Sequence, residues 1–121
     1  MTDLIQTYAK LHASLKKAEQ DMEQAIIAYS DAVEIYGNAQ LAYRRKVEEE
    51  TINARRDGEA ITIIPNLVKG RAAAEEMAMV KAEGMVKRCK HMIDLFEHKI
   101  NDYKFTGRKL DSFINKGSHD S

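Results

Sequence analysis

Two apolar seams of identical spacing limit what this chain can fold into. Leu4, Tyr8, Leu11, Leu15, Ala18, Met22, Ala25, Tyr29, Ala32, Tyr36, Ala39 and Tyr43 recur at alternating steps of four and three residues. Val68, Ala72, Met79, Ala82, Val86, Cys89, Ile93, Phe96, Ile100, Tyr103, Leu110 and Ile114 repeat that rhythm, and only Glu75 and Gly107 interrupt it. The spacing sets an apolar stripe along one side of a helix, at heptad positions a and d. In an antiparallel pair a residues face d residues. One register satisfies that condition along both seams: Leu11 opposite Gly107, Ala18 opposite Ile100, Ala25 opposite Ile93, Tyr29 opposite Cys89 and Tyr36 opposite Ala82. Several of these layers set a large residue against a small one, as close packing requires. The expected fold is all-α: a long antiparallel helical hairpin, a coiled coil of roughly 60 Å at 1.5 Å rise per residue.

Punctuation places the boundaries. A first helix is expected over about 3–56, with Thr2 or Asp3 as its N-cap. Gly37 falls outside the seam, so a continuous helix there costs only the glycine's own propensity, about 1 kcal/mol; a small kink is the alternative. Asp57-Gly58 is a stop signal. A connector over 57–66 follows, with Glu59–Ile64 read as extended chain whose isoleucines cover the end of the core. Pro65 should push Ile64 out of the helical region, and Asn66 can cap a second helix over about 67–115. Gly107 either lets Leu11 approach closely or ends that helix. Residues 1–116 form one domain on this reading, and 117–121 a disordered tail.

With 121 residues the chain holds one domain at most, and two helices alone bury little surface. The 19 basic and 19 acidic side chains cancel. Residues 1–60 carry 8 basic and 11 acidic groups and residues 61–121 carry 11 and 8, a complementary offset rather than the basic field of a dedicated nucleic-acid binder. The single cysteine excludes an intrachain disulfide, and Cys89 at a seam position reads as a small apolar residue. No signal-peptide pattern opens the chain, and no run reaches the ~20 apolar residues of a membrane span. A cytoplasmic location without membrane contact is expected.

Chemistry-bearing groups are sparse. His91, Asp94, Glu97 and His98 have metal-ligand spacing on a helix. The two histidines, however, fall at the position farthest from the seam, and no second set stands opposite. There is no nucleophile–base motif, no glycine-rich phosphate loop and no cysteine pair. No catalytic residue, metal or cofactor is expected, and no enzymatic activity.

Two surfaces remain. The g positions are apolar through the middle of both helices: Ala28, Ile35 and Ala42 on the first, Ala78, Met85 and Met92 on the second, with Leu95 extending the patch. The opposite flank is mostly polar, interrupted by Ile26 and Val33. A second apolar stripe asks for burial, and self-association into a four-helix bundle is the simplest answer, giving a homodimer; docking of another protein is the other. The second surface is basic. Arg44, Arg45, Arg55, Arg56, Lys69 and Arg71 gather toward the hinge and could contact phosphates, though Glu48, Glu49, Glu50, Asp57, Glu59, Glu75 and Glu76 lie in the same region.

The stretch Ala72-Ala73-Ala74-Glu75-Glu76 through Met92-Ile93-Asp94, following an alanine- and tyrosine-studded first helix and a short linker, resembles small helical-hairpin accessory proteins from phage and prophage early-gene regions. The resemblance implies a non-enzymatic accessory or inhibitor that binds a host or phage protein in the host cytoplasm. The second functional expectation is a nucleic-acid-binding accessory in DNA replication or recombination.

Overall fold

The computed structural model describes the backbone of Thr2–His119 and the side chains from Asp3 to Asn115. It is all-helical, with three helices packed together: α1 (Thr2–Arg56), α2 (Ile64–Arg71) and α3 (Ala73–His119). No strand occurs among the described residues.

α1 holds 55 residues without a break. It lacks proline, and it continues through Gly37, where nothing lies within 4 Å of where a Cβ would stand. Its end is built as the sequence implies. Gly58 has φ +77°, the only positive value among the described residues. That conformation lets the Gly58 N–H reach the Arg55 carbonyl at 3.1 Å and the Glu59 N–H reach the Ala54 carbonyl at 3.1 Å. This crossed pair satisfies two carbonyls that a helix end would leave open. Arg55 and Arg56 in the last turn complement the negative end of the helix dipole.

The connector departs from expectation. Residues 61–63 form a turn, and the next helix begins at Ile64, ahead of Pro65 and three residues before the expected start. Proline disfavours helical backbone in the residue before it. It is nevertheless at ease in the first turn, where no partner exists for the N–H it lacks. Here Ile64 joins Ala54 and Val68 in a buried cluster flanked by Val47 and Leu67. Full burial of an isoleucine is worth about 1.5–3 kcal/mol, enough to offset one unfavourable backbone angle. Asn66 is therefore inside α2, and the cap position belongs to Ile63, whose side chain makes no capping bond. Ile64 alone covers the core; Ile61 is 86% exposed and Ile63 is also exposed. Ala72, fully buried, interrupts the helix for one residue (φ −100°, ψ 10°) and yet keeps 2.9 and 3.0 Å backbone bonds to Val68 and from Glu76.

Two compact units share these helices, Met1–Ile27 with Lys90–Ser121, and Ala28–Cys89. In the first, Ala18 and Ile100 are buried; in the second, Ala32, Ala54, Ile64, Val68, Ala72 and Ala82. Of the described seam positions, only Tyr8 and Ile114 are exposed. The seams are thus the inner face of each unit. No large side chain among the described residues is fully buried, so the core is thin and made mainly of small residues. α3 continues through Gly107 and on to His119, so Gly117, Ser118 and His119 are helical rather than a loose tail; Asp120 and Ser121 lie outside the described residues.

Two glycines therefore have opposite roles, and substitution separates them. Gly37→Ala should raise the unfolding free energy by about 1 kcal/mol. Gly58→Ala should lower it by about 1 kcal/mol, since an L residue resists positive φ. Urea unfolding followed by circular dichroism reads both; a destabilised Gly37→Ala protein would mean that something packs on that face.

Candidate interaction surfaces

Every member of the apolar flank set is exposed. Ala28, Ile35, Ala42, Ala78 and Met85 belong to the unit Ala28–Cys89, with Ile35 56% and Met85 46% exposed. Met92 and Leu95 belong to the other unit and are exposed too. Exposed apolar surface is not confined to this set. Ile26 and Val33 are open, as are Ile27, Leu41, Met77 and Val80 at positions pointing away from the seam.

The basic set Arg44, Arg45, Arg55, Arg56, Lys69 and Arg71 lies wholly within the unit Ala28–Cys89, and all six side chains are exposed. Acidic neighbours answer them. The Glu50 carboxylate accepts a hydrogen bond from Arg71 Nη1 at 3.3 Å and lies 3.2 Å from Lys46 Nζ. The hydrogen bond and charge of Glu50, with lesser help from Glu49 and Glu75, hold the Lys46 ammonium above the ordinary lysine pKa. Across this unit ten basic side chains meet ten acidic ones, so no net field builds up. Arg55 and Lys69 line an open cavity of about 890 Å³ with Glu59 and Glu76, two charges of each sign over a floor of Val47, Ile64 and Val68.

Glu75 is where the second seam breaks. Its Oε2 atom is buried with no hydrogen-bond partner. A buried acceptor left unmet costs about 1–3 kcal/mol, while the nearby Lys46 charge compensates through space. Lys46, Glu50, Asn53 and Glu75 are half-buried on the faces that the seams occupy elsewhere, so polar side chains interrupt the apolar seams there. In coiled helices such a break fixes register at some expense in stability.

His91, Asp94, Glu97 and His98 are all exposed, and no group of three metal-capable side chains comes together among the described residues. Cys89 is a half-buried free thiol. No described helix is long and apolar enough to cross a membrane. His12, without a partner in the sequence pattern, lines a notch with Tyr8, Leu11, Leu15, Tyr103 and Gly107. The sequence marks Gly107 as a seam break, but a void between two helices is invisible until both walls are known. No family model, no curated protein and no solved structure matches the chain.

Replacing Glu75 with leucine repairs the seam. The variant should gain about 1 kcal/mol in chemical denaturation, since it removes an acceptor buried without a hydrogen-bond partner while Lys46 keeps its ion pair with Glu50. A loss of stability would show that the carboxylate is held by partners worth more than its desolvation.

Proposed function

We propose that this chain is a non-enzymatic protein–protein interaction module: an antiparallel helical hairpin that dimerises through its apolar flank into a four-helix bundle and presents the assembled surface to another protein. The observation that carries the reading is the exposure of Ile35 and Met85, large apolar side chains at g positions of a molecule whose own core is thin. Register supports the hairpin. In one unit Leu11 lies beside Gly107, and the notch lined by residues 8–15 and 103–111 is followed by a hollow lined by residues 14–21 and 96–103. In the other, Glu50 meets Arg71, and Ala54 meets Ile64 and Val68. Ala28, Ala42 and Ala78 are small enough for a second hairpin to come close. Met92 and Leu95 lengthen the apolar set along α3.

Each large flank residue contributes roughly 1.5–3 kcal/mol when fully buried by a partner. A micromolar dimer needs about 8 kcal/mol net. Ile35 and Met85 are already about half covered, so four such side chains across a two-fold interface supply roughly 3–6 kcal/mol gross, and Ala28, Ala42, Ala78, Met92 and Leu95 must be covered as well before association costs are met. The resemblance of residues 72–94 to phage and prophage accessory helices suggests the partner class, a host or phage protein met in the cytoplasm. Nucleic acid is the less favoured occupant because Arg71 is already engaged by Glu50 and the surrounding unit is electrically neutral.

Light scattering should give a homodimer at micromolar concentration. Ile35→Lys/Met85→Lys should remain helical and dissociate at least tenfold more readily, which corresponds to about 1.4 kcal/mol. A strictly monomeric wild type overturns the dimer. Fluorescence anisotropy with single- and double-stranded DNA at two salt concentrations tests the partner class; tight binding that weakens steeply with salt, and is lost on changing Arg44, Arg45, Arg55 and Arg56, replaces the protein-binding reading with a nucleic-acid one.

A further inference from the structure

Gly107 is an odd residue for its place. It sits in the interior of α3 on the seam, where glycine is the poorest helix former apart from proline. Close approach does not demand it. A Cβ there would meet only Leu11 Cδ2, at 3.8 Å, an ordinary contact. Positive φ does not demand it either, since Gly58 alone among the described residues adopts that conformation. Beside it a notch of about 340 Å³ opens between α1 and α3, entirely within the unit formed by Met1–Ile27 and Lys90–Ser121. None of its lining residues belongs to the apolar flank discussed above.

The notch has a consistent chemistry. Half-buried Leu11 and Leu15 give it an apolar floor, and Tyr8 and Tyr103 bring a ring from each helix. Lys104 and Arg108 stand at the rim, both exposed, and neither has an acidic oxygen within 4 Å among the described residues. Asp111 also reaches the rim, so Lys104, Arg108 and Asp111 together carry a net single positive charge. Apolar floor, aromatic sides and a cationic lip complement one kind of ligand. We propose that the notch at Gly107 binds a small aromatic carboxylate, its ring lying against Leu11 and Leu15 between the tyrosines and its carboxylate meeting Arg108 and Lys104. Arginine's planar fork suits a carboxylate in particular. The volume is at the lower end for ligand pockets and suits one fused ring pair rather than a larger body.

The test is a nitrogen–proton correlation titration of the full-length protein with 2-naphthoate, using neutral 2-naphthamide as the matched control. Saturable shifts should concentrate on the amides around Leu11, Tyr103, Gly107 and Arg108, with a dissociation constant on the order of 1 mM or tighter for a ligand of that size. Naphthamide should bind at least fivefold more weakly. Gly107→Leu puts a bulky side chain into the notch and should abolish the shifts. Arg108→Gln, on the exposed rim where folding is not at stake, should weaken naphthoate about fivefold and leave naphthamide unchanged. Equal binding of acid and amide, an unaffected Arg108→Gln protein, shifts scattered over Ile35, Met85 and the other open apolar residues, or no saturable binding at all would each overturn the assignment.

Discussion

Everything in this molecule depends on helices that meet through alanine. Ala18, Ala32, Ala54, Ala72 and Ala82 are among its most buried side chains, and the tyrosines, leucines and methionines of the seams are only partly covered. Small buried residues let helix axes come close, which brings the intervening larger side chains into contact along their stems. They also bury little area each, so the apolar free energy gained per layer is modest. A chain built this way is held by many weak layers rather than by a central cluster. It leaves a large share of its isoleucine, methionine and phenylalanine surface in water.

That economy explains why the polar breaks matter. In a thick core an unpaired carboxylate oxygen would be a serious defect. In a seam one residue wide, Glu75 is close enough to the surface to feel Lys46, and Glu50 reaches both Lys46 and Arg71. Uniform alanine seams tolerate sliding by a heptad, because each layer resembles its neighbours. A charged layer makes one register better than the rest. Gly107 acts differently. It removes a layer instead of changing its polarity, and the notch beside it is shaped by both helices together.

The heptad rhythm made the inner face legible down to individual residues, because period and burial are linked by helix geometry alone. The α1 stop at Gly58 was legible for a similar reason, since positive φ has a strong residue preference. What escaped was whatever depended on competition between terms. Ile64 is helical despite Pro65 because a buried cluster outweighs a local preference. The outward Leu41, Met77 and Val80 break the expected contrast between a greasy flank and a wet one. Gly107 was a recognised break whose consequence needed a second helix in place. Surface apolar residues say that something is to be covered; they carry little about what covers it.

The crossed turn at Gly58 also sets an order of events. Ala54 and Ile64 are ten residues apart in the chain, whereas Leu11 and Gly107 are ninety-six apart. Closing the longer loop first would cost about 2 kcal/mol more in chain entropy than closing the shorter one. Assembly that begins at the turn avoids this, because each added layer then closes only a few further residues. If the chain is the hairpin proposed above, the expected route is a zipper that starts beside the connector and reaches the chain ends last. Its mirror image is fraying from the ends, so the Gly107 notch lies in the part of the molecule that forms latest and opens first.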